Sequence, residues 1–195
     1  SLTAQEALPD SLNWVENGSF EVLDGKVKRL GYFEVAKGWK SPTEKKADLF
    51  TETVTGSPIS VPRNDRGDQG ALNGQNYAGL MWWSYQNKEP RTYMQAKLKK
   101  MLKKDQKYCV RYYTTLSDLS KYAADQHGAY FSKMLVKKDD ESNLTYTPQV
   151  PTLRTRIYDD LYSWQGVCGV YDAKGDEQYL LIGNMAAQEK TNTTK

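Results

Sequence analysis

The sequence predicts an all-β protein, folded as an antiparallel β-sandwich with little helix. Short segments rich in β-branched and aromatic residues recur along the chain, and glycine, proline, asparagine and aspartate separate them. Only "SDLSKYAADQ", at residues 117–126, has the character of a short helix. Many short strands with hardly any helix are typical of sandwiches and jelly rolls. A chain of 195 residues is long enough to enclose one full core.

The strand candidates follow one another in order along the chain. They occupy residues 14–21, 47–54, 76–85, 91–98, 107–116, 128–136, 163–173 and 178–185. In "RTYMQAKL", Met94 and Ala96 fall on one face and Gln95 falls on the other. In "KYCVRYYTTL", Val110 and Tyr112 share a face in the same way. The lysine-rich "KKMLKKDQ" between them is predicted to be a solvated connection between antiparallel strands.

Charge and hydropathy narrow the functional classes. The net charge of +3 arises from 27 basic and 24 acidic side chains, so the two signs nearly balance. A nucleic-acid-binding domain usually shows a larger basic excess, so nucleic acid is not expected as a partner. The sequence has no run of eighteen apolar residues, so no membrane-spanning segment is predicted.

The two ends differ in character from the middle. Residues 1–13 begin "SLTAQEALPD", which is similar to the end of a secretory signal or to a disordered leader. A single sandwich domain is predicted for residues 14–185. Residues 186–195 are predicted to be a polar tail or a linker to a following segment. Cys109 and Cys168 could be joined by a disulfide in an exported protein, or could be two buried free thiols.

Several motifs occur in a familiar order. They are "ENGSFE", "AKGWKSPT", "GQNYAGL" and "SWQGVCGVYDAKGDEQYLLIGN". This series resembles the galactose-binding-like jelly roll of many carbohydrate-binding modules. The longer segment from the G-W motif through "KYCVRYYTTLSDLSKYA" is similar to an uncharacterised N-terminal domain of exported Bacteroidota proteins. Several of those proteins carry a following OmpA-like peptidoglycan-binding domain, and some belong to gliding or type 9 secretion machinery.

The resemblance implies a location and a set of packing roles. It places the chain in the periplasm, at the outer membrane or on the cell surface. Contact with peptidoglycan would come only through a following domain. It also implies that Phe20 and Trp39 are core anchors, and that Leu180 and Ile182 point inward from the last strand.

The resemblance further implies a structural Ca²⁺ ion. In related modules the glutamate of N-G-x-F-E binds calcium together with main-chain carbonyls and a side-chain oxygen near the last strand. Glu21 and Asn184 match these positions, and Asp48 is a plausible third donor. The alternative is that Glu21 is an ordinary strand-end residue in a hydrogen-bond network.

Adjacent tryptophans mark a candidate recognition face. Trp82 and Trp83 would point to opposite sides of a strand, one toward the core and one toward an outer face. That outer face is either covered by the protein itself, stacked on a glycan, or part of a protein interface. Its predicted members are Trp83, Tyr85 and Tyr77, with polar donors from Gln75, Asn76, Gln86, Asn87 and Arg91.

The catalytic motifs that a sequence can reveal are missing. His127 is the only histidine, and the sequence has neither a nucleophile elbow nor a phosphate-binding loop. We therefore expect a non-catalytic envelope domain that docks to an outer-membrane, secretion or motility protein through an aromatic patch without a groove. An alternative is a carbohydrate-binding module, which would show a concave aromatic face flanked by Asn, Gln and Arg. A hydrolase would need a cleft with a coupled acid pair.

Overall fold

A computed structural model describes residues 12–152 and 156–195, and it is all-β with several antiparallel sheets. The predicted fold class is therefore confirmed. Helical turns in this part of the chain are three short 3₁₀ segments, Phe33–Val35, Tyr85–Asn87 and Gln188–Lys190. None of these described helices has the length and apolar character needed to cross a membrane.

The strands are short and pair as antiparallel ladders. They are β1 Trp39–Lys40, β2 Asp48–Thr51, β3 Arg63–Asn64, β4 Gly67–Asp68, β5 Asn76–Gly79, β6 Met94–Lys97, β7 Lys107–Thr114, β8 Ala123–Ala124, β9 His127–Ser132, β10 Val150–Pro151, β11 Gln165–Asp172, β12 Tyr179–Asn184 and β13 Thr193–Thr194. The main sheet has the order β1-β6-β12-β9-β10. The pairs β7–β11, β2–β5, β3–β4 and β8–β13 complete the fold.

The inner face of the main sheet contributes to the principal core. Met94, Ala96, Leu180, Ile182 and Phe131 alternate along β6, β12 and β9 and belong to one buried cluster. The period of two in the sequence predicted this face, because successive strand residues point to opposite sides of a sheet. The inward positions implied for the last strand are confirmed.

The other face of the main sheet is also buried. Tyr93 and Leu181 pack there against Val136 and Leu144, which come from the long segment between β9 and β10. The Gln95 side chain binds this segment twice, because Nε2 donates to the Val136 carbonyl and Oε1 accepts from the Val136 N–H, both at 2.9 Å. A buried amide is thus satisfied by protein groups.

The aromatic anchors occupy the positions that the motifs implied. Trp39 is buried, and its ring centroid lies 5.2 Å from that of Phe20 and 5.8 Å from that of Phe33. The Trp39 Nε1 donates to the Asn17 carbonyl at 2.8 Å. This bond ties the turn before Phe20 to β1.

The ribbon of β7 and β11 packs on the principal core. The two strands pair over eight consecutive residues, and Val110 and Tyr171 are buried in that core. Tyr112 packs against the same core, as the alternation predicted. Residues 99–106 do form a connection, but β6 and β7 belong to different sheets, so the predicted pairing of these two strands is wrong.

Cys109 and Cys168 are both exposed and both free. The ladder register sets Cys109 opposite Val170 and Cys168 opposite Arg111, so the two cysteines are diagonal neighbours. Diagonal Cβ atoms are about 7–8 Å apart or slightly less, whereas a disulfide needs about 3.5–4.5 Å. The disulfide is therefore not formed in this arrangement. The alternative of two buried thiols is wrong, because both side chains lie on the exposed face of the ribbon.

Three predicted elements differ from the structure. Residues 14–21 are mainly a turn, in which Asn17 and Phe20 have φ of 56° and 64°. Residues 117–126 contain a turn and β8 in place of a helix. The predicted strand 76–85 ends at Gly79. It ends there because Met81 exchanges hydrogen bonds with Thr92 and not with β2.

The polar C-terminal residues are bound to the fold. β13 pairs with β8, and the backbone N–H and Nδ2 of Asn192 donate to the buried carboxylate of Asp125 at 2.7 and 2.8 Å. The polar composition of residues 186–195 predicted a tail or linker. Composition could not indicate that Asn192 is bound to Asp125, which is distant in sequence. Residues 1–11 of the predicted leader lie outside the described residues.

Candidate functional site

A large cleft runs between β7 and the segment that begins with β5. Its volume is about 1980 Å³. Every residue from 76 to 83 lines the cleft, and so does every residue from 107 to 114. In the part of the chain that the structure describes, β5 is paired only with β2, and β7 only with β11. The cleft therefore separates two strands that do not pair with one another.

Aromatic side chains from distant parts of the sequence meet along this cleft. Trp83 contacts Tyr122 edge to face, with ring centroids 5.1 Å apart. Tyr77 contacts Trp164 in the same manner at 5.6 Å. The Trp164 Nε1 donates to the Gly70 carbonyl at 3.0 Å, which fixes the orientation of this indole. The cleft thus has aromatic walls whose rings are held in place by their neighbours.

The structure divides the predicted recognition face. Trp83, Tyr77 and Asn76 line the cleft, whereas Tyr85 is exposed and does not. Tyr77, Trp83 and Tyr85 would lie on one face only if a single strand ran through all three. β5 ends at Gly79, so this face is interrupted. The exposed amides that were predicted as donors, Gln75, Gln86 and Asn87, also lie outside the lining of the cleft.

Arg91 is the predicted donor that the structure excludes from a surface role. Its side chain is fully buried, and Nη1 donates to the carbonyls of Asn184 and Ala186 at 2.9 and 2.6 Å. Nη2 donates to Oε1 of Gln188 at 2.8 Å, and Gln188 Nε2 donates to the Ser84 carbonyl at 2.9 Å. Arg91 therefore joins the C-terminal segment to the loop that carries Trp83, and it cannot contact a ligand.

Trp82 and Trp83 both line the cleft and both lie beyond the end of β5, so the strand alternation that was predicted to send them to opposite faces does not apply to them. The Trp82 indole stacks on His127 with centroids 3.8 Å apart and planes 16° from parallel. Burial lowers the pKa of His127 to about 3 and raises the pKa of Tyr112, so both groups are neutral near pH 7. The Tyr112 hydroxyl lies 2.8 Å from His127 Nδ1. Either group can donate in this bond, and His127 Nε2 has no hydrogen-bond partner among the described residues.

The three predicted calcium donors have other partners. The Glu21 carboxylate accepts the N–H groups of Gln75 and Asn76 at 3.0–3.1 Å. Asp48 accepts from the Gly31 N–H at 2.7 Å and from Arg66 Nε at 3.3 Å. Asn184 Oδ1 accepts from the Ala186 N–H at 3.0 Å.

These contacts do not fit a calcium site. N–H donors already occupy lone pairs on all three side chains, and the positive guanidinium of Arg66 beside Asp48 repels a cation there. Within residues 12–152 and 156–195, no group of three His, Cys, Asp or Glu side chains could hold a metal ion. Glu21 has the arrangement that the hydrogen-bond alternative predicted.

The Glu21 contacts lead to the first testable prediction. Glu21→Ala is expected to lower the free energy of unfolding by about 1–2 kcal/mol, because two N–H groups lose a charged acceptor. Chemical denaturation measures this change, and Glu16→Ala, another exposed carboxylate near the same turn, is the control. Adding Ca²⁺ is expected to leave the wild-type melting temperature unchanged. A Ca²⁺-dependent rise that disappears in Glu21→Ala would contradict this assignment and restore the calcium site.

The fold and the cleft together define an all-β domain with an aromatic-walled cleft. Comparison with known proteins adds no relative, since no family model, no curated protein and no solved structure matches the chain.

Proposed function

We propose that this protein is a non-catalytic binding domain that holds a segment of another protein in the aromatic cleft. The observation that carries the proposal is the lining of the cleft, which contains the Trp83–Tyr122 ring pair and apolar side chains such as Leu80, Met81 and Leu116. Aromatic residues and methionine are enriched in the buried centres of protein interfaces. The motif resemblance to exported envelope domains favours a partner in the periplasm, at the outer membrane or on the cell surface.

The state of the only histidine supports a non-catalytic role. A general base works best when its pKa is near the operating pH. Burial lowers the pKa of His127 to about 3, and its ring is held between Trp82 and the Tyr112 hydroxyl. His127 therefore has the environment of a packed core residue.

A glycan is the second candidate ligand, and the ring pair of Trp83 and Tyr122 favours it because sugar rings stack on aromatic faces. A sugar site also needs polar donors beside the platform. The predicted amides Gln75, Gln86 and Asn87 lie outside the lining of the cleft. Asn76 Nδ2 is bound to the Phe20 carbonyl at 2.9 Å. Other polar side chains do line the cleft, among them Gln69, Asn73 and Arg111, and a concave aromatic site is what the carbohydrate-binding alternative predicts. We rank a protein segment first because leucine and methionine side chains line the cleft together with the rings, and the test below distinguishes the two ligands.

The second prediction tests the proposed function through Trp83. Trp83→Ala is expected to weaken partner binding by about 2 kcal/mol, roughly 30-fold, because aromatic residues at the centre of an interface are commonly hot spots. The partner is captured from envelope extract, identified by mass spectrometry, purified and titrated against the wild type and the variant by calorimetry. A glycan array is run in parallel.

Tyr85→Ala is the matched control, because Tyr85 belongs to the same loop but does not line the cleft. It is expected to leave binding unchanged. Unchanged melting temperatures of both variants would show that the fold is preserved. Equal binding by the wild type and Trp83→Ala would overturn the proposed site. A Trp83-dependent glycan signal without protein capture would show that the ligand is a glycan and not a protein segment.

A further inference from the structure

Within residues 12–152 and 156–195, strand β7 is paired with β11 on one side and with no other strand. All eight of its residues line the cleft, whereas no residue of β11 does. Side chains of a strand point alternately to its two faces, so a cleft on one face would contact every second residue. The cleft therefore includes the edge of β7 opposite to β11, as well as part of its core-facing side.

This edge offers backbone hydrogen-bonding groups. Within the described ranges, residues 107–112 have backbone hydrogen bonds to β11 and none to a strand or loop across the cleft. In an antiparallel pair, alternate residues direct their N–H and C=O groups away from the partner strand. Six residues of an extended edge span about 20 Å. An exposed edge of this kind is a template for a further strand.

The opposite wall supplies places for side chains. Residues 76–83 line the cleft consecutively and include Tyr77, Leu80, Met81 and Trp83. A strand laid along β7 would direct alternate side chains toward the principal core side and toward solvent. Apolar side chains at every second position would meet the aromatic and aliphatic groups of the cleft.

The charge of the edge favours a foreign strand over a second copy of β7. Lys107 of this strand pairs with Asp172 of β11 at 2.7 Å, so the remaining basic side chain is Arg111, and β7 has no acidic residue. Arg111 is exposed and lines the cleft. A second copy of β7 offers no acidic side chain to Arg111, whereas an acidic residue on a different peptide would be attracted.

We propose that the cleft binds its partner by strand addition, with an extended peptide pairing along residues 107–112 of β7. The peptide has apolar side chains at alternate positions and an acidic residue facing Arg111. This inference rests on the proposed function, since it specifies how a protein segment is held in the cleft. Backbone bonds give such complexes affinity, and pockets for alternate side chains give them specificity.

The third prediction tests strand addition with a defined probe. Random 12-residue peptides displayed on phage are selected on the purified chain, and the tightest one is synthesised. Single N-methylation of its amides is expected to weaken binding about fivefold to tenfold at every second position and little at the positions between, since each methyl group removes one donor. Amide hydrogen exchange of residues 107–112 is expected to slow when the peptide binds.

Arg111→Glu is the test variant on the protein, and Arg63→Glu is its control because the Arg63 side chain is 87% exposed and Arg63 does not line the cleft. Only Arg111→Glu is expected to weaken binding of the selected peptide, by roughly tenfold at low salt.

Three outcomes would each overturn strand addition: failure to select a peptide, N-methylation without an alternating effect, or unchanged amide hydrogen exchange of β7. Self-association of the chain that protects the same amides would also overturn it, in favour of a second copy. If a captured partner binds in a Trp83-dependent way but leaves the amide hydrogen exchange of β7 unchanged, the proposed function stands and strand addition is wrong.

Discussion

Arg91→Met is expected to lower the free energy of unfolding by about 3 kcal/mol or more. The guanidinium is fully buried and satisfies three oxygens, on Asn184, Ala186 and Gln188. Removal of a buried donor leaves each acceptor without its bond, at about 1–3 kcal/mol for each group. Methionine preserves much of the side-chain volume, so the loss reports mainly on the hydrogen bonds.

Urea denaturation of the wild type and Arg91→Met measures this effect. Arg63→Met is the matched control, because the Arg63 side chain is 87% exposed and its change is expected to stay within about 0.5 kcal/mol. Arg91→Met is also expected to increase hydrogen exchange around Ser84 and Gln188, which Arg91 helps to hold together. A loss no larger than that of the control would show that the buried guanidinium does not stabilise the C-terminal segment.

The free energy of unfolding is expected to fall as the pH decreases below about 6.5. Burial lowers the pKa of His127 from 6.5 to about 3, so between these pH values the unfolded chain binds a proton that the native protein does not. Stability therefore decreases with falling pH in this window, by at most about 1.4 kcal/mol per pH unit. Above about pH 6.5, the free energy of unfolding does not depend on the protonation of His127.

Two measurements check the role of His127. Because the sequence contains one histidine, its ring resonances are readily assigned by NMR, and they are expected to show no protonation at pH 5 in the native protein, well above its folded-state pKa of about 3. His127→Gln is expected to remove the decrease in stability between about pH 6.5 and 5, where ordinary carboxylates contribute little. A native histidine that titrates near 6.5 would contradict the buried, neutral assignment.

Much of the fold followed from local sequence patterns. The alternation of Met94 and Ala96 against Gln95 predicted both faces of β6, and the structure places them in two separate buried layers. This works because the side-chain period of a strand is fixed at two by its backbone geometry. The turn-rich spacing predicted an all-β protein for the same local reason.

Strand partners could not be predicted from the same patterns. The sequence placed β6 and β7 next to one another in the chain, but β7 pairs with β11 and β6 pairs with β1 and β12. Alternation specifies which side of a strand is apolar and contains no information about which strand lies beside it. The cleft exists because of this pairing, so its position was not accessible from the sequence.

The recognition face shows the same division. Trp83 and Tyr77 were identified from composition and spacing, whereas Tyr122 and Trp164 were not, because they belong to other segments that the fold brings to the same cleft. Arg91 was predicted as a surface donor from its charge. Only the tertiary structure supplies three oxygens close enough to hold its guanidinium inside.

The sequence by itself determined the all-β class, the faces of the central strands and the aromatic character of the segment around Trp83. These are local properties, set by residue type and by the alternation of side chains along an extended chain. The tertiary structure decided which strand edges stay unpaired, which charged and polar groups are buried, and which aromatic rings meet. These depend on contacts between residues far apart in sequence, such as the bond from Arg91 to Asn184, and no local pattern specifies them.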